Sequence, residues 1–151
     1  MSVPAANARL GQPEIAALIP HAGAMCLLDA VRSWDATTIV CAASSHRDPA
    51  NPLVGDGILD SVCGVEYAAQ AMAVHGGLTA IAGRRPAAGF LASVRDVVRH
   101  VPRLDVIRAD LEITATRLGG DATGALYAFV LRAGPETVLE GRAAVVLEGL
   151  S

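Results

Sequence analysis

The chain has no lysine; all twelve of its basic residues are arginine. Schiff-base chemistry through a lysine amine is therefore excluded. It has only three cysteines, Cys26, Cys41 and Cys63. They are odd in number, far apart in sequence and form no C-x-x-C pair, which argues against a zinc or redox motif. Each is flanked by apolar residues, so buried structural thiols are expected, with no metal and no cofactor. Hydrophobic residues make up 52 % of the chain, yet no run approaches the roughly 18–20 apolar residues a membrane-crossing helix requires. The first eleven residues contain one arginine and no apolar stretch, so no secretory signal is read there and a cytoplasmic location is expected. A net charge of −3 gives no nucleic-acid footprint.

The 151 residues fit one domain with a proper core. No internal repeat or linker divides them, and residues 1–12 read as a loose arm. Gln12-Pro13-Glu14 opens a short helix over 13–19, with proline near its start and an acid in its first turn. Strands are predicted over 26–34 and 37–45, joined at Asp35-Ala36. Asp-Pro, Asn-Pro and Gly-Asp-Gly signals mark 47–59 as irregular.

Residues 61–75 then hold a glutamate in unusual company. Apart from Glu66, Gln70 and the end residues, the stretch is apolar or small on every side. A helix apolar all round is normally buried, and a carboxylate within it must be desolvated, paired or hydrogen-bonded. Gln70 follows at i+4, on the same face. The pair suggests a reactive site; the alternative is a structural carboxylate bonded to nearby backbone. Asp60 or Ser61 is the expected cap, and Gly76-Gly77 the expected stop.

The second half reads as four strands. Residues 87–100 form one, bent or interrupted. In 106–118, Ile107, Ala109, Leu111, Ile113 and Ala115 alternate with Arg108, Asp110, Glu112, Thr114 and Thr116, the period of a sheet with one wet face. Gly119-Gly120-Asp121 is expected to turn the chain into 124–132, and Gly134-Pro135-Glu136 into 138–147. One long helix without a polar face needs wrapping, and a single curved antiparallel sheet can supply it. The expected class is α+β, in the hotdog arrangement: a long central helix wrapped by a curved antiparallel sheet.

Three motifs support that architecture in the right order. Ile19-Pro20-His21-Ala22 through Leu27-Leu28-Asp29-Ala30-Val31 resembles the opening of hotdog 3-hydroxyacyl-ACP dehydratases, roughly LPHRxPxLLxDRV. Glu66-Tyr67-Ala68-Ala69-Gln70-Ala71 resembles their central-helix E-x-x-A-Q-A, and Ala88-Gly89-Phe90-Leu91-Ala92-Ser93-Val94-Arg95-Asp96 their third strand. Asn51-Pro52-Leu53 and Asp56-Gly57-Ile58-Leu59 are similar to a divergent branch associated with aryl-polyene pigment clusters. The chain departs from the standard pattern before the helix. The usual G-H-F-P-G loop supplies a catalytic histidine, whereas residues 54–60 contain none.

The resemblance implies dehydration of a 3-hydroxyacyl thioester, carried by acyl carrier protein or coenzyme A, in fatty-acid or polyene synthesis. Such a reaction needs a base, an acid for the departing hydroxyl and donors on the thioester carbonyl. Glu66 takes the place of the acid, with Gln70 expected to orient it. The amides of Ser61, Val62 and Cys63 are the expected carbonyl donors at the helix N-terminus. His46, at the strand–loop junction, is nearest in sequence to the missing histidine; His21 matches a family position. His75 lies too far along the helix, and His100 is expected to be exposed. Arg84, Arg85, Arg95, Arg99 and Arg103 are the candidate contacts to an acidic carrier. A homodimer, or a heteromer with another hotdog subunit, is expected through strand 87–95. Three activities remain open: a dehydratase, an acyl thioesterase using the same carboxylate, and a subunit that completes its site with a second dehydratase.

Overall fold

In the computed structural model, residues 9–19, 25–79, 89–121 and 123–147 are described. Strand β1 (Leu10–Gly11) leads into helix α1 (Gln12–Leu18), followed by β2 (Ala30–Trp34) and β3 (Thr38–Ala43). The central helix α2 (Gly64–Thr79) precedes β4 (Gly89–Arg99), β5 (Leu111–Asp121), β6 (Gly124–Ala133) and β7 (Glu136–Leu147). The strands form one antiparallel sheet in the order β1-β2-β3-β5-β6-β7-β4. It curves around α2, which packs on β3, β5 and β6, and the fold is a hotdog.

The inner face follows the predicted period of two. Leu111, Ile113 and Ala115 of β5 are buried, as are Tyr127, Phe129 and Leu131 of β6 and Ile39, Cys41 and Ala43 of β3. Burying each large side chain contributes about 1.5–3 kcal/mol. Helix and sheet approach closely at Gly64, where a Cβ would lie 2.7 Å from Leu139 Cδ2 and 2.9 Å from Leu131 Cδ2.

Four boundaries differ from those read in the sequence, and at the first two a side chain takes over a backbone partner. The first main strand starts at Ala30 and not at residue 26. The Leu27 N–H is bonded to Gln70 and its carbonyl to Ser45, so this residue joins no neighbouring strand. Residues 106–110 are not strand, since the carbonyls of Ile107 and Ala109 accept from His46 and that of Arg108 from Arg47. Helix α2 continues through Gly76-Gly77 to Thr79. Gly77 serves a close approach there: a Cβ would meet Leu18 Cδ2 of α1 at 3.2 Å. Gly119 and Gly120 lie within β5, beside a bulge, and the chain turns after Asp121. Gly120 has φ +152°, and a Cβ on it would lie 2.4 Å from Gly124 O.

The sheet has two unlike edges. On one side is β1, only two residues long. On the other is the eleven-residue β4, paired among the described residues with β7 alone. Its register with β7 shifts twice, and Asp96 at the second shift has φ 56°. A long open edge is a template for another strand.

Candidate active site

Glu66 is not enclosed. It is half-buried on a stripe that continues through Ala69 and Ala73, whereas Tyr67, Ala68, Gln70, Ala71, Met72, Val74 and His75 are buried. Among the described residues Glu66 forms no ion pair. The expected all-round burial of the helix therefore holds on its other sides only.

Gln70 does not orient Glu66. Its Oε1 accepts from Leu27 N at 2.8 Å and its Nε2 donates to Met25 O at 2.5 Å. With both ends of the amide bonded, it holds residues 25–27 against the helix. Tyr67 does similar work beside it. Asn51 Nδ2 donates to Tyr67 Oη at 3.1 Å, Tyr67 Oη and Ser45 Oγ lie 2.7 Å apart, and Ser45 Oγ donates to Leu27 O at 2.7 Å. Ser45 has one hydroxyl hydrogen, committed to Leu27, so Tyr67 is the donor to Ser45. Asn51 also donates to Ser45 O and accepts from Leu53 N. This network was not foreseen from the sequence. Its signal was a tyrosine in an otherwise apolar helix, whose buried hydroxyl needs a partner, with Asn51 in the loop before it.

The described histidines are all engaged elsewhere. His46, read as a replacement for the missing histidine at the strand–loop junction, is fully buried in a 3₁₀ turn (Ser45–Arg47). Its Nε2 lies 3.1 Å from Ile107 O and 3.0 Å from Ala109 O. Carbonyls only accept, so Nε2 carries the proton, while Nδ1 is buried with no partner among the described residues. Burial lowers its pKa and keeps the ring neutral. His75 is also buried: Nε2 faces Asp35 O at 2.8 Å and Nδ1 faces Tyr127 Oη at 2.7 Å. Its pKa is likewise lowered by burial, and that of Tyr127 is pushed up to about 12. Nine residues along a helix at ~1.5 Å each separate it from Glu66. His100 is exposed, 3.0 Å from Glu140. His21 lies outside the described residues.

The helix start is closed. Ser61 N donates to Pro102 O at 3.2 Å, Val62 N to Asp60 Oδ1 at 2.9 Å and Cys63 N to Asp60 O at 3.0 Å. A 3₁₀ turn (Ser61–Cys63) capped by Asp60 precedes the α-helix, so these amides have partners within the chain and are not free donors for a thioester carbonyl. Cys63 is half-buried and burial raises its pKa, which keeps it a thiol.

Two candidate carrier contacts are structural. Arg99 Nε donates to Ser61 Oγ at 2.8 Å and Nη2 to Pro102 O at 3.2 Å, with Asp60 3.0 Å away. Arg103 pairs with Asp105, whose carboxyl is held well below its usual range by that guanidinium. Arg95 is exposed and lies opposite Arg142 in the β4–β7 register. Arg84 and Arg85 lie outside the described residues. A cavity of about 320 Å³ opens beside the Tyr67 network, lined by Cys26, Asp29, Ser44, Ser45, Asp48 and Asn51 among others.

A family model described as ApeP-like, ApeP dehydratase, matches residues 13–148. The chain belongs to this dehydratase family. Its fold is shared with the dehydratase heterocomplex ApeI:P from Xenorhabdus doucetiae, at a TM-score of 0.80 and 23 % identity over 93 % of this chain and 92 % of that one. A thioesterase from Haemophilus influenzae aligns at a TM-score of 0.67 and 12 % identity, over 96 % of this chain and 95 % of that one. Zebra fish thioesterase superfamily member 2 aligns at 0.64 and 17 %, over 90 % and 94 %. No curated protein matches in sequence. The dehydratase reading of the motifs is thus upheld at the level of family, and the hotdog reading at the level of fold. No helix among the described residues is long and apolar enough to cross a membrane.

Proposed function

We propose that the protein is one subunit of a two-subunit hotdog dehydratase, presenting Glu66 to a site whose histidine comes from its partner. The observation that carries this reading is the state of the three described histidines. His46 and His75 are buried with their ring N–H groups committed to backbone carbonyls, and His100 is exposed and paired with Glu140 on the sheet. Glu66 meanwhile lies on the less covered stripe of its helix without an ionic partner among the described residues. The open edge of β4 supplies a place for a second sheet to add. Family membership and the similarity to a heterocomplex of dehydratase subunits point the same way.

In this reading the substrate is a 3-hydroxyacyl thioester on an acyl carrier protein or coenzyme A. One proton leaves the carbon next to the carbonyl, the 3-hydroxyl departs with a proton as water, and a double bond forms between the two carbons. Glu66 and the partner's histidine divide the two proton transfers.

The test uses the purified protein alone, a second hotdog dehydratase with an intact loop histidine alone, and the mixture, each with a 3-hydroxyacyl carrier thioester. Turnover in the mixture far above the sum of its parts is expected. Full turnover by the isolated protein would overturn the proposal in favour of an autonomous enzyme. Release of free carrier thiol in place of the unsaturated product would favour a thioesterase.

A further inference from the structure

We infer that Arg99 is a positioning residue, fixing the start of the Glu66 helix to the edge strand across which the partner's histidine reaches. The inference rests on the two-subunit reading above. In that reading the two reacting groups come from different bodies, Glu66 from α2 and the histidine from a sheet docked on β4. Their separation then depends on how firmly the start of α2 is held to β4. Misplacement by about 1 Å can lower turnover by up to 10²-fold.

Arg99 is the last residue of β4. Among the described side chains it alone hydrogen-bonds that strand to the helix start. Its Nε donates to Ser61 Oγ at 2.8 Å, its Nη2 sits 3.0 Å from Asp60 Oδ1, and the same nitrogen donates to Pro102 O at 3.2 Å. These acceptors lie in and against the Asp60-capped 3₁₀ turn that leads into α2. Asp60 Oδ1 also accepts Val62 N, and Pro102 O also accepts Ser61 N. An exposed ion pair alone would matter little, and half of the Asp60 side chain is exposed. Ser61, however, is fully buried, so the guanidinium reaches a desolvated hydroxyl that has no other donor to it in the described residues. Arginine's planar fork makes these bonds together, whereas a lysine ammonium is a point charge on a flexible stem. Glu66 follows five residues after Ser61, and the tight seat of Gly64 on Leu131 and Leu139 carries the position of the cap into the helix.

The test compares wild type, Arg99→Lys, Arg99→Gln and Ser61→Ala in two measurements. In the two-subunit assay, Arg99→Lys is expected to lower kcat by about 10-fold with KM and affinity for the partner unchanged. Adding Ser61→Ala to it is expected to cost little more, since both remove one bond. In hydrogen exchange on the purified protein, the Val62 and Cys63 amides are expected to lose protection by about 10-fold in Arg99→Lys. A carrier-docking arginine would behave differently: lysine would restore most of its effect, and KM would rise with salt. That outcome, or unchanged kcat in Arg99→Lys, overturns the inference. If the wild-type mixture shows no turnover, the two-subunit reading fails by itself. Unchanged exchange at Val62 and Cys63 would then still overturn the link between Arg99 and the cap.

Discussion

The covered side of the central helix and its Glu66 stripe are built on opposite terms. On the covered side Tyr67, Gln70 and His75 are buried, and each polar atom has a partner in the 25–27 segment, the 45–51 segment, β6 or the Asp35 turn. On the stripe, Ala69 and Ala73 leave only methyl groups beside one carboxylate. Buried polar groups are costly unless satisfied, so the first set reads as a fixture that fastens loops to the helix. A carboxylate beside small residues, by contrast, leaves space for another molecule. The substitutions that separate the two sides affect different observables: turnover for the stripe, folding for the covered side.

The largest effect is expected at Glu66. Glu66→Gln preserves shape and removes the proton acceptor. Activity of the two-subunit mixture should fall by about 10²–10⁴-fold, with the urea midpoint of the isolated protein almost unchanged, as for other half-exposed positions. Retained turnover would remove Glu66 from the reaction. A collapse of stability would show it to be part of the fixture after all.

Next come the covered side and the histidine clamp. Gln70→Ala leaves the Leu27 N–H and Met25 O without their partner, at an expected cost of about 2–3 kcal/mol. His46→Ala strips the carbonyls of Ile107 and Ala109 and opens a void, for a similar loss of about 2–3 kcal/mol. Denaturant unfolding at neutral pH checks both. If either variant proves as stable as wild type, that residue is no anchor, and a catalytic role for it gains ground.

What the sequence conveyed and what it withheld follow the same division. Periodicity exposed the long apolar helix and the alternation of Leu111, Ile113 and Ala115, because both arise from solvent on one side and core on the other. The Glu66 position was legible as a lone acid in that helix. Residues 106–110 misled, since Ile107 and Ala109 keep the strand period. Their carbonyls are taken by His46, more than 60 positions earlier in the chain, and no local pattern announces such a competitor. The same holds for Gln70. Spacing placed it beside Glu66, and only the fold shows its amide closed on Met25 and Leu27. At the helix start the Asp60 cap was legible, and it takes the Val62 amide, whereas the bond from Ser61 N to Pro102 O, far later in the chain, was not.

A smaller effect is expected from pH. Both His46 and His75 have pKa values lowered by burial from an ordinary 6.5. The unfolded chain therefore takes up protons first as pH falls, so stability is fully present above about 6.5 and declines below it. The depressed carboxyls, Asp35, Asp105 and Asp121, act in a separate and more acid window below their ordinary 3.8. Urea midpoints between pH 7.5 and pH 5 should therefore fall, and His46→Ala should flatten the slope. A midpoint rising toward pH 5 would contradict the neutral, carbonyl-bonded histidines on which the assignment of the covered side depends.

The smallest effect is expected at Arg95, on the edge strand β4. Arg95 faces Arg142 directly across the β4–β7 ladder, and both are exposed. Like charges in opposed cross-strand positions are unfavourable, so Arg95→Gln should leave stability unchanged or raise it by about 0.2–1 kcal/mol. A surface that keeps such a pair gains from an anion nearby, which is how an acidic carrier would be met. Of the five candidate arginines, Arg99 and Arg103 are bonded to Asp60 and Asp105, leaving Arg95 as the exposed one without an ion pair among the described residues. If it contacts the carrier, Arg95→Gln should raise KM for a carrier-bound thioester at low salt, and the difference should shrink as salt screens the contact. The same acyl group on a short pantetheine arm lacks the acidic protein and should show no change. An equal rise in KM for both substrates would place Arg95 at the acyl site, and no rise for either would leave the carrier to dock elsewhere.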